Sequence, residues 1–232
     1  MSIDLKTHFL KSLEIDPNYS ESHFELALIF QLEKKFDVSK KHFNYAIKTS
    51  IKKIDKIEVY GNQLLKKSQF QNAKHQFYLA QEEKKQCAKY NYYLSKLYDQ
   101  NKMSKDAIIC LEKCIELDPY FSNGFRNLGF EYFKKKNFDK ARTLLLKALD
   151  LNYKDYKIHY YLGQVLISTF DYIDAEQHIL IALDINSNFI DGLIELALLK
   201  LKLKDLDAAK EYYKKVKLLN PKLSIRILEK LI

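Results

Sequence analysis

The sequence predicts an all-α fold, an α-solenoid of stacked helix-turn-helix repeats. The first observation is a scarcity of helix breakers, with five glycines and three prolines in 232 residues, well below the average of about 12% for the pair. The second is that 47% of the residues are hydrophobic and 13% aromatic, which excludes a disordered chain. The third is an apolar pattern at helical spacing that repeats along the chain.

The repeat has a period of 34 residues. Pro17, Pro119 and Pro221 each follow an Asp or Asn, and successive members of this set are 102 residues apart, three times 34. Phasing on this period predicts one domain over residues 1–232, with a half-repeat helix at 1–19 and a terminal helix at 224–232. Six repeats fill the interval between them, at residues 20–53, 54–87, 88–121, 122–155, 156–189 and 190–223.

Small residues at fixed places predict how each repeat folds. The eighth place of the repeat holds Ala27, Gly61, Ser95, Gly129, Gly163 and Ala197. The twentieth place holds Ser39, Ala73, Ala107, Ala141, Ala175 and Ala209. Small side chains at these places let the two helices of a repeat approach closely. Because one helix pair cannot bury both of its apolar stripes, neighbouring pairs are expected to stack.

These columns resemble the tetratricopeptide repeat. The fourth repeat shows the pattern of that family in Phe125, Leu128, Gly129, Tyr132, Ala141, Leu145 and Ala148. The resemblance covers residues 20–221 and implies a right-handed superhelix. The closing proline of the family is replaced in four repeats, by Ile51, Lys85, Tyr153 and Ser187. The sequence leaves the helix ends at those four places undefined.

The resemblance also implies a function. Members of the family are non-catalytic scaffolds, so we expect this chain to bind a partner peptide or helix in a concave groove. The alternative is an accessory subunit of a larger assembly, since the family serves in ciliary transport, protein import, ubiquitin ligases and pilus or secretion assembly.

In this family the second, fifth, sixth and ninth places of each first helix line the groove. Four of these eight places are acidic in the first two repeats, whereas none of the twelve is acidic in the next three, where most are aromatic or basic. Because Tyr and Arg are enriched at binding hot spots, we expect the peptide-binding site in the third to fifth repeats. Its predicted residues are Lys89, Tyr92, Tyr93, Lys96, Arg126, Asn127, Phe130, Lys157, Tyr160, Tyr161 and Gln164. Only Asn127 and Lys157 match the five-residue clamp for C-terminal carboxylates found in some members, so chaperone tails are not the favoured partner.

The end of the chain predicts a second interface. The terminal helix carries apolar residues at its groove-facing places, beside apolar residues of the sixth repeat. A contiguous exposed apolar patch usually marks a binding site. We expect self-association, or docking of a partner helix, through Ile194, Leu198, Ile225, Leu228 and Ile232. The alternatives are that the last helix folds back or frays, or that a further helix follows it.

The charge pattern bears on the class of partner. The net charge of +9 comes from 39 Lys and Arg residues against 30 Asp and Glu residues. Only Arg126, Arg142 and Arg226 are arginines, although the arginine fork is the group suited to phosphates and bases. The lysines cluster at the turns, where they complement helix C-termini. We therefore expect no nucleic-acid partner and keep polyanion binding by a lysine-rich ridge as a less favoured alternative.

No motif indicates catalysis. The chain has no glycine-rich phosphate loop, no nucleophile elbow and no His-Glu-x-x-His motif. His23 and His159 fall in a column of large packed residues, and the other four histidines lie in separate repeat units, so we expect no metal site. Three cysteines do not form a disulfide framework, and the sequence shows no secretory signal or membrane span. We expect a cytoplasmic protein that is not an enzyme and needs no cofactor.

Overall fold

The computed structural model describes the backbone of residues 2–231 and the side chains of residues 5–225 and 227–229. All regular structure in this part of the chain is α-helical, which confirms the predicted fold class. The chain divides into two compact units, Met1–Gly124 and Phe125–Ile232. The helices are α1 (Ser2–Ile15), α2 (Ser20–Leu32), α3 (Phe36–Lys66), α4 (Phe70–Gln100), α5 (Ser104–Leu117), α6 (Ser122–Lys134), α7 (Phe138–Leu151), α8 (Tyr156–Ser168), α9 (Tyr172–Ile185), α10 (Ile190–Lys202), α11 (Leu206–Leu219) and α12 (Pro221–Leu231).

Six tight turns recur at intervals of 34 residues. Each has one residue with φ between +58° and +67°, always at the fifteenth place of the predicted repeat: Lys34, Ser68, Lys102, Lys136, Phe170 and Lys204. In the turn after α6 the N–H of Asn137 donates to the carbonyl oxygen of Tyr132 at 3.0 Å, the bond that closes a Schellman motif. The turn within each repeat therefore forms without glycine, at a cost of about 1 kcal/mol for each left-handed residue.

Turns between repeats depend on a different residue type. Asp118, Asn152, Asn186 and Asn220 end their helices in extended conformations, with φ between −135° and −154°. Asp and Asn side chains compete with helical hydrogen bonding. Two of the four precede a proline, which further disfavours helical backbone at the residue before it.

No turn forms near residues 51 and 85, two of the places where the sequence left the helix ends undefined. Helices α3 and α4 are each 31 residues long and run through the repeat boundaries at 53/54 and 87/88. Where the other four repeats carry Asp or Asn, these two carry Ser50 and Lys84, and no proline follows. The residues around Lys84 are mainly good helix formers, and no glycine or proline lies within residues 46–55 or 80–89. The second helix of one repeat therefore continues directly into the first helix of the next.

The fused helices change which repeats pack together in the first unit. Its core cluster joins Phe24 and Ala27 of α2 and Phe43 of α3 to Tyr90 and other residues near the C-terminal end of α4 and in α5. The rings of Phe24 and Tyr90 lie 4.8 Å apart. The first predicted repeat thus packs on the third, and none of the described members of this cluster comes from residues 54–87.

Residues 54–87 form a two-helix hairpin, which we call the 54–87 hairpin. Ile54, Leu64, Ala73 and Ala80 are buried within it. Tyr60, at the seventh place of its repeat, is 52% exposed, whereas the leucines at this place in the other five repeats are at most 3% exposed. The seventh place is therefore covered only where neighbouring repeats stack.

A buried carboxylate holds the base of the 54–87 hairpin. Glu83 is 6% exposed and accepts a hydrogen bond from the Ser50 hydroxyl at 2.6 Å. It also pairs with the Lys53 ammonium, and this hydrogen bond raises the pKa of Lys53. The later repeats have Leu or Ile at the place of Glu83. This polar contact ties the middle of α3 to the middle of α4 where both helices are continuous.

The second unit follows the predicted period. One core cluster joins Ala141, Leu145 and Ala148 of α7 to Ile158, Leu162 and Val165 of α8. Another joins α9, α10, α11 and α12 around residues that include Ile179, Leu196 and Val216. The small residues at the twentieth place are at most 1% exposed in both units. One continuous solenoid over residues 1–232 stays a prediction.

None of the helices in residues 2–231 combines the length and the apolar character that crossing a membrane requires.

Candidate functional site

One side of α8 carries four of the predicted groove residues. Lys157 is exposed, and Tyr160, Tyr161 and Gln164 are partly buried. Their spacing of three, one and three residues places them on one helical face. The residues between and after them pack into the second unit, with Ile158, His159 and Leu162 at most 6% exposed. The predicted face of α8 is therefore the side that the core leaves open.

Aromatic rings continue this face from α6 to the turn before α10. Phe130 of α6 stacks on Tyr161, with ring centroids 4.3 Å apart and planes 19° apart. Tyr160 meets Phe189 edge-on at 4.9 Å. All four rings are partly buried. We call Phe130, Tyr160, Tyr161 and Phe189 the aromatic row.

The amide of Gln164 is only half satisfied. Its Nε2 donates a hydrogen bond to the Tyr160 hydroxyl oxygen at 3.0 Å. Its Oε1 is buried and has no hydrogen-bond partner among the described residues. A buried acceptor without a donor costs about 1–3 kcal/mol.

Arg126 is engaged within the fold. Its guanidinium forms an ion pair with Asp155, and the side chains are only 11% and 12% exposed. Asp155 also accepts the backbone N–H of Lys157 at 3.0 Å and so caps α8. The sequence analysis predicted Arg126 as a partner-binding residue. In the structure its ion pair with Asp155 connects α6 to the start of α8.

Arg126 and Phe189 each take part in a contact that recurs from repeat to repeat. The side chain at the fifth place of a repeat contacts the side chain at the thirty-fourth place of the same repeat. Tyr92 packs against Phe121 at 5.2 Å, Arg126 pairs with Asp155, and Tyr160 packs against Phe189. Sequence reasoning missed Phe189 because it weighed only the first helix of each repeat. Comparing these two places along the chain would have found it.

The predicted groove residues of the first unit form their own cluster. Tyr92 is 8% exposed, which corrects its predicted place on an open face. The Lys96 ammonium lies 5.3 Å from the ring centroid of Tyr93 and 5.8 Å from that of Tyr92. Lys89 lies over Phe24 at 5.1 Å. Lys96 is exposed, and Lys89 and Tyr93 are partly exposed.

The predicted apolar patch at the chain end is smaller in the structure. Ile194 is 1% exposed and belongs to the core, so its prediction as a surface residue is wrong. The physical reason is that α12 packs on α10, with Ile227 fully buried and Leu223 against the same cluster. Leu198 is partly buried, Ile225 and Leu228 remain 51% and 38% exposed, and Ile232 lies outside the described residues.

The comparisons with known proteins agree with this repeat geometry. Models of the tetratricopeptide repeat match residues 88–121, 122–155 and 190–223. These three segments are tetratricopeptide repeats. The three matched segments coincide with the predicted third, fourth and sixth repeats.

Two curated relatives of this tetratricopeptide repeat protein are fungal. Anaphase-promoting complex subunit 3 of Schizosaccharomyces pombe is 26% identical over 132 residues, which cover 57% of this chain and 20% of that protein. Protein bimA of Emericella nidulans is 32% identical over 80 residues, which cover 34% of this chain and 10% of that protein. The matched part of the chain thus spans a fifth or less of these relatives.

A solved structure matches nearly the whole of this tetratricopeptide repeat protein. The crystal structure of YrrB, described as a TPR protein with an unusual peptide-binding site, has a TM-score of 0.63 at 15% identity. The match covers 97% of this chain and 98% of that chain. At this identity the likeness concerns the fold alone.

Breaking the Arg126–Asp155 pair is expected to destabilise this tetratricopeptide repeat protein. Arg126→Ala or Asp155→Ala should lower the free energy of unfolding by about 2 kcal/mol, because each leaves a poorly solvated charge without its partner. Asp155→Ala also removes the cap of α8. Urea titrations of both single variants and the double variant measure the effect, and the double variant should lose less than the sum of the singles.

The matched control is the exposed Lys85–Glu82 pair. Glu82→Ala should change the free energy of unfolding by about 0.5 kcal/mol or less. If Arg126→Ala is equally neutral, the ion pair does not hold α6 to α8.

Proposed function

We propose that this protein is a non-catalytic scaffold that binds an extended or helical segment of a partner protein across α6 and α8. The observation that carries the proposal is the partly exposed aromatic row on α6, α8 and the turn before α10. Rigid aromatic side chains supply contact area at a low conformational-entropy cost. The tetratricopeptide repeats support the proposal, since helical solenoids of this kind present extended binding surfaces.

The chemistry of this face describes the segment it would take. Phe130 and Tyr161 present ring surface to apolar or aromatic side chains. Lys157 is exposed at the start of α8 and attracts a carboxylate. We therefore expect a segment with aromatic and acidic residues.

Tyr161→Ala is expected to weaken binding of such a segment by about 2 kcal/mol, roughly thirtyfold in Kd, because it removes the ring stacked on Phe130. Peptides selected from a displayed random library against the parent protein provide the ligand, and calorimetric titration gives the Kd. Tyr153→Ala is the matched control, since Tyr153 is 66% exposed in the turn before α8 and outside the aromatic row. Equal affinity in the parent and Tyr161→Ala, with both proteins equally folded, would remove this face as the binding site.

A second proposal is that the protein is a subunit of a larger assembly. The support is that a relative from Schizosaccharomyces pombe is, by name, a subunit of the anaphase-promoting complex. Affinity purification of the tagged protein from its native cell, followed by mass spectrometry, tests this. Repeated recovery of the same proteins in stoichiometric amounts with the parent would support this proposal. If Tyr161→Ala no longer recovers these proteins, the assembly binds through the aromatic row. Recovery of the bait alone would contradict this proposal.

A further inference from the structure

Two histidine pairs occupy equivalent positions in the two units. In the first, Nδ1 of His23 on α2 lies 3.0 Å from Nδ1 of His42 on α3. In the second, Nδ1 of His159 on α8 lies 3.1 Å from Nδ1 of His178 on α9. The pairs are 136 residues apart, four periods of 34, and each joins the fourth place of a repeat to its twenty-third. The same contact is therefore built twice.

The surroundings of each pair determine where its protons sit. Nε2 of His23 lies 3.0 Å from the carbonyl oxygen of Pro17, which can only accept, so this nitrogen carries a proton. The Nδ1 of a neutral His23 is then an acceptor, and His42 must donate from its own Nδ1. Nε2 of His159 meets the carbonyl oxygen of Tyr153 at 3.0 Å in the same way. Each pair is thus held by one N–H···N bond with a defined direction.

Aromatic groups and distant charges surround the first pair. His23 is 7% exposed and stacks on Tyr45 at 5.1 Å, and His42 stacks on Phe30 at 5.3 Å. The ammonium groups of Lys6 and Lys35 lie over the ring of Phe30, and the Glu33 carboxylate forms an ion pair with each of them. Burial, and then the neighbouring His23, lower the pKa of His42 to about 4.

The second pair has similar surroundings. His159 is 6% exposed. Burial, and then the neighbouring His159, lower the pKa of His178; Asp174 opposes them with a smaller effect, and Arg142 adds a slight further lowering. Among the described residues, no group of three His, Cys, Asp or Glu side chains is arranged to hold a metal ion. A proton shared between two rings accounts for the geometry.

We propose that each histidine pair is an acid-sensitive lock between the two helices of its repeat. At neutral pH the single N–H···N bond ties α2 to α3 and α8 to α9. An added proton can go to the half-buried second nitrogen of His42 or His178, where desolvation opposes it. A further proton on the Nδ1 of His23 or His159 would set two N–H groups against each other and break the bond.

The direction of the pH effect follows from proton linkage. An unfolded histidine takes up a proton near pH 6.5, whereas the folded His42 does so only near pH 4. Between these values the unfolded state binds more protons, so stability falls as the pH falls. The stabilisation is fully present above about pH 6.5 and is lost toward about pH 4. This inference concerns the fold itself and does not depend on the identity of a partner.

The variant His42→Asn/His178→Asn tests the lock. An Asn amide can donate to the same Nδ1 acceptor but does not titrate. Urea titrations at about pH 7.5 and about pH 5 should show that the folded-to-unfolded ratio falls by about tenfold or more in the parent relative to the variant, because His42 alone contributes a shift of this size. His75→Asn is the matched control, because His75 is exposed on α4, and it should behave as the parent.

Nitrogen-detected NMR of the parent histidines gives a second readout that needs no variant. We expect His23 and His159 to carry the proton on Nε2, and His42 and His178 on Nδ1, with His42 still neutral at about pH 6. Titration of His42 and His178 near the value of an exposed histidine would overturn the proposal. So would a double variant that loses as much stability on acidification as the parent.

Discussion

Lys85→Pro is expected to lower the free energy of unfolding by about 3 kcal/mol or more. Lys85 lies inside the continuous helix α4, where proline removes a hydrogen bond and its ring clashes with the preceding turn. The same place of the repeat is occupied by Pro119 and Pro221 elsewhere in the chain. Urea titration followed by helical circular dichroism measures the loss.

The matched control is Ser187→Pro. Ser187 stands at the equivalent place, in the turn between α9 and α10, so proline there should change the free energy of unfolding by about 0.5 kcal/mol or less. The contrast between the two variants tests the fused helices directly. If Lys85→Pro is tolerated as well as Ser187→Pro, a turn forms near residue 85 and the regular repeat extends through the 54–87 hairpin.

Gly163→Val is expected to destabilise the second unit by about 2–3 kcal/mol through overpacking. A Cβ at Gly163 would lie 2.6 Å from Cγ1 of Ile179 and 3.3 Å from the carbonyl oxygen of Ala175. Ile179 is fully buried and has no room to move. The poor helix propensity of glycine offsets part of the loss. Gly129→Val should behave in the same way, because its Cβ would lie 2.8 Å from Cγ of Leu145.

Two comparisons isolate the steric cause. Gln177→Val introduces the same β-branched residue at an exposed site of α9 and should cost about 0.5 kcal/mol. The double variant Gly163→Val/Ile179→Ala should lose less stability than the sum of its single variants, since truncating Ile179 opens space for the new side chain. Additive losses, or a Gly163→Val protein as stable as the parent, would show that α8 and α9 do not meet at this point.

The repeat pattern is readable from the sequence because it rests on short-range geometry. Ala141 and Leu145, both fully buried, stand at places that hold a small and a large residue respectively in every repeat. These residue sizes recur because the two helices of a repeat need them to pack closely. The turn at Lys136 also keeps its place in all six repeats. These features depend on residues only a few positions apart, so they survive even in the 54–87 hairpin.

The candidate site is less predictable because contacts made across a repeat decide it. Helical periodicity places Tyr160, Tyr161 and Gln164 on one face of α8, where all three are partly buried. That Arg126 is held by Asp155, and that Phe189 joins the aromatic row, depends on residues 29 positions apart. The histidine pairs are likewise hidden, since His23 and His42 are 19 positions apart.

The sequence by itself determined the helical fold class, the 34-residue period, the turn within each repeat and the repeat family. Only the tertiary structure decided where the helices of neighbouring repeats run into one continuous helix and which side chains remain exposed. Helix propensity at Ser50 and Lys84 permits either a turn or a continuous helix, and the buried contact of Glu83 with Ser50 accompanies the continuous form. Likewise α12, by packing on α10, buried Ile194 and left Ile225 exposed. Burial depends on which surfaces meet in space, and a local pattern does not specify that.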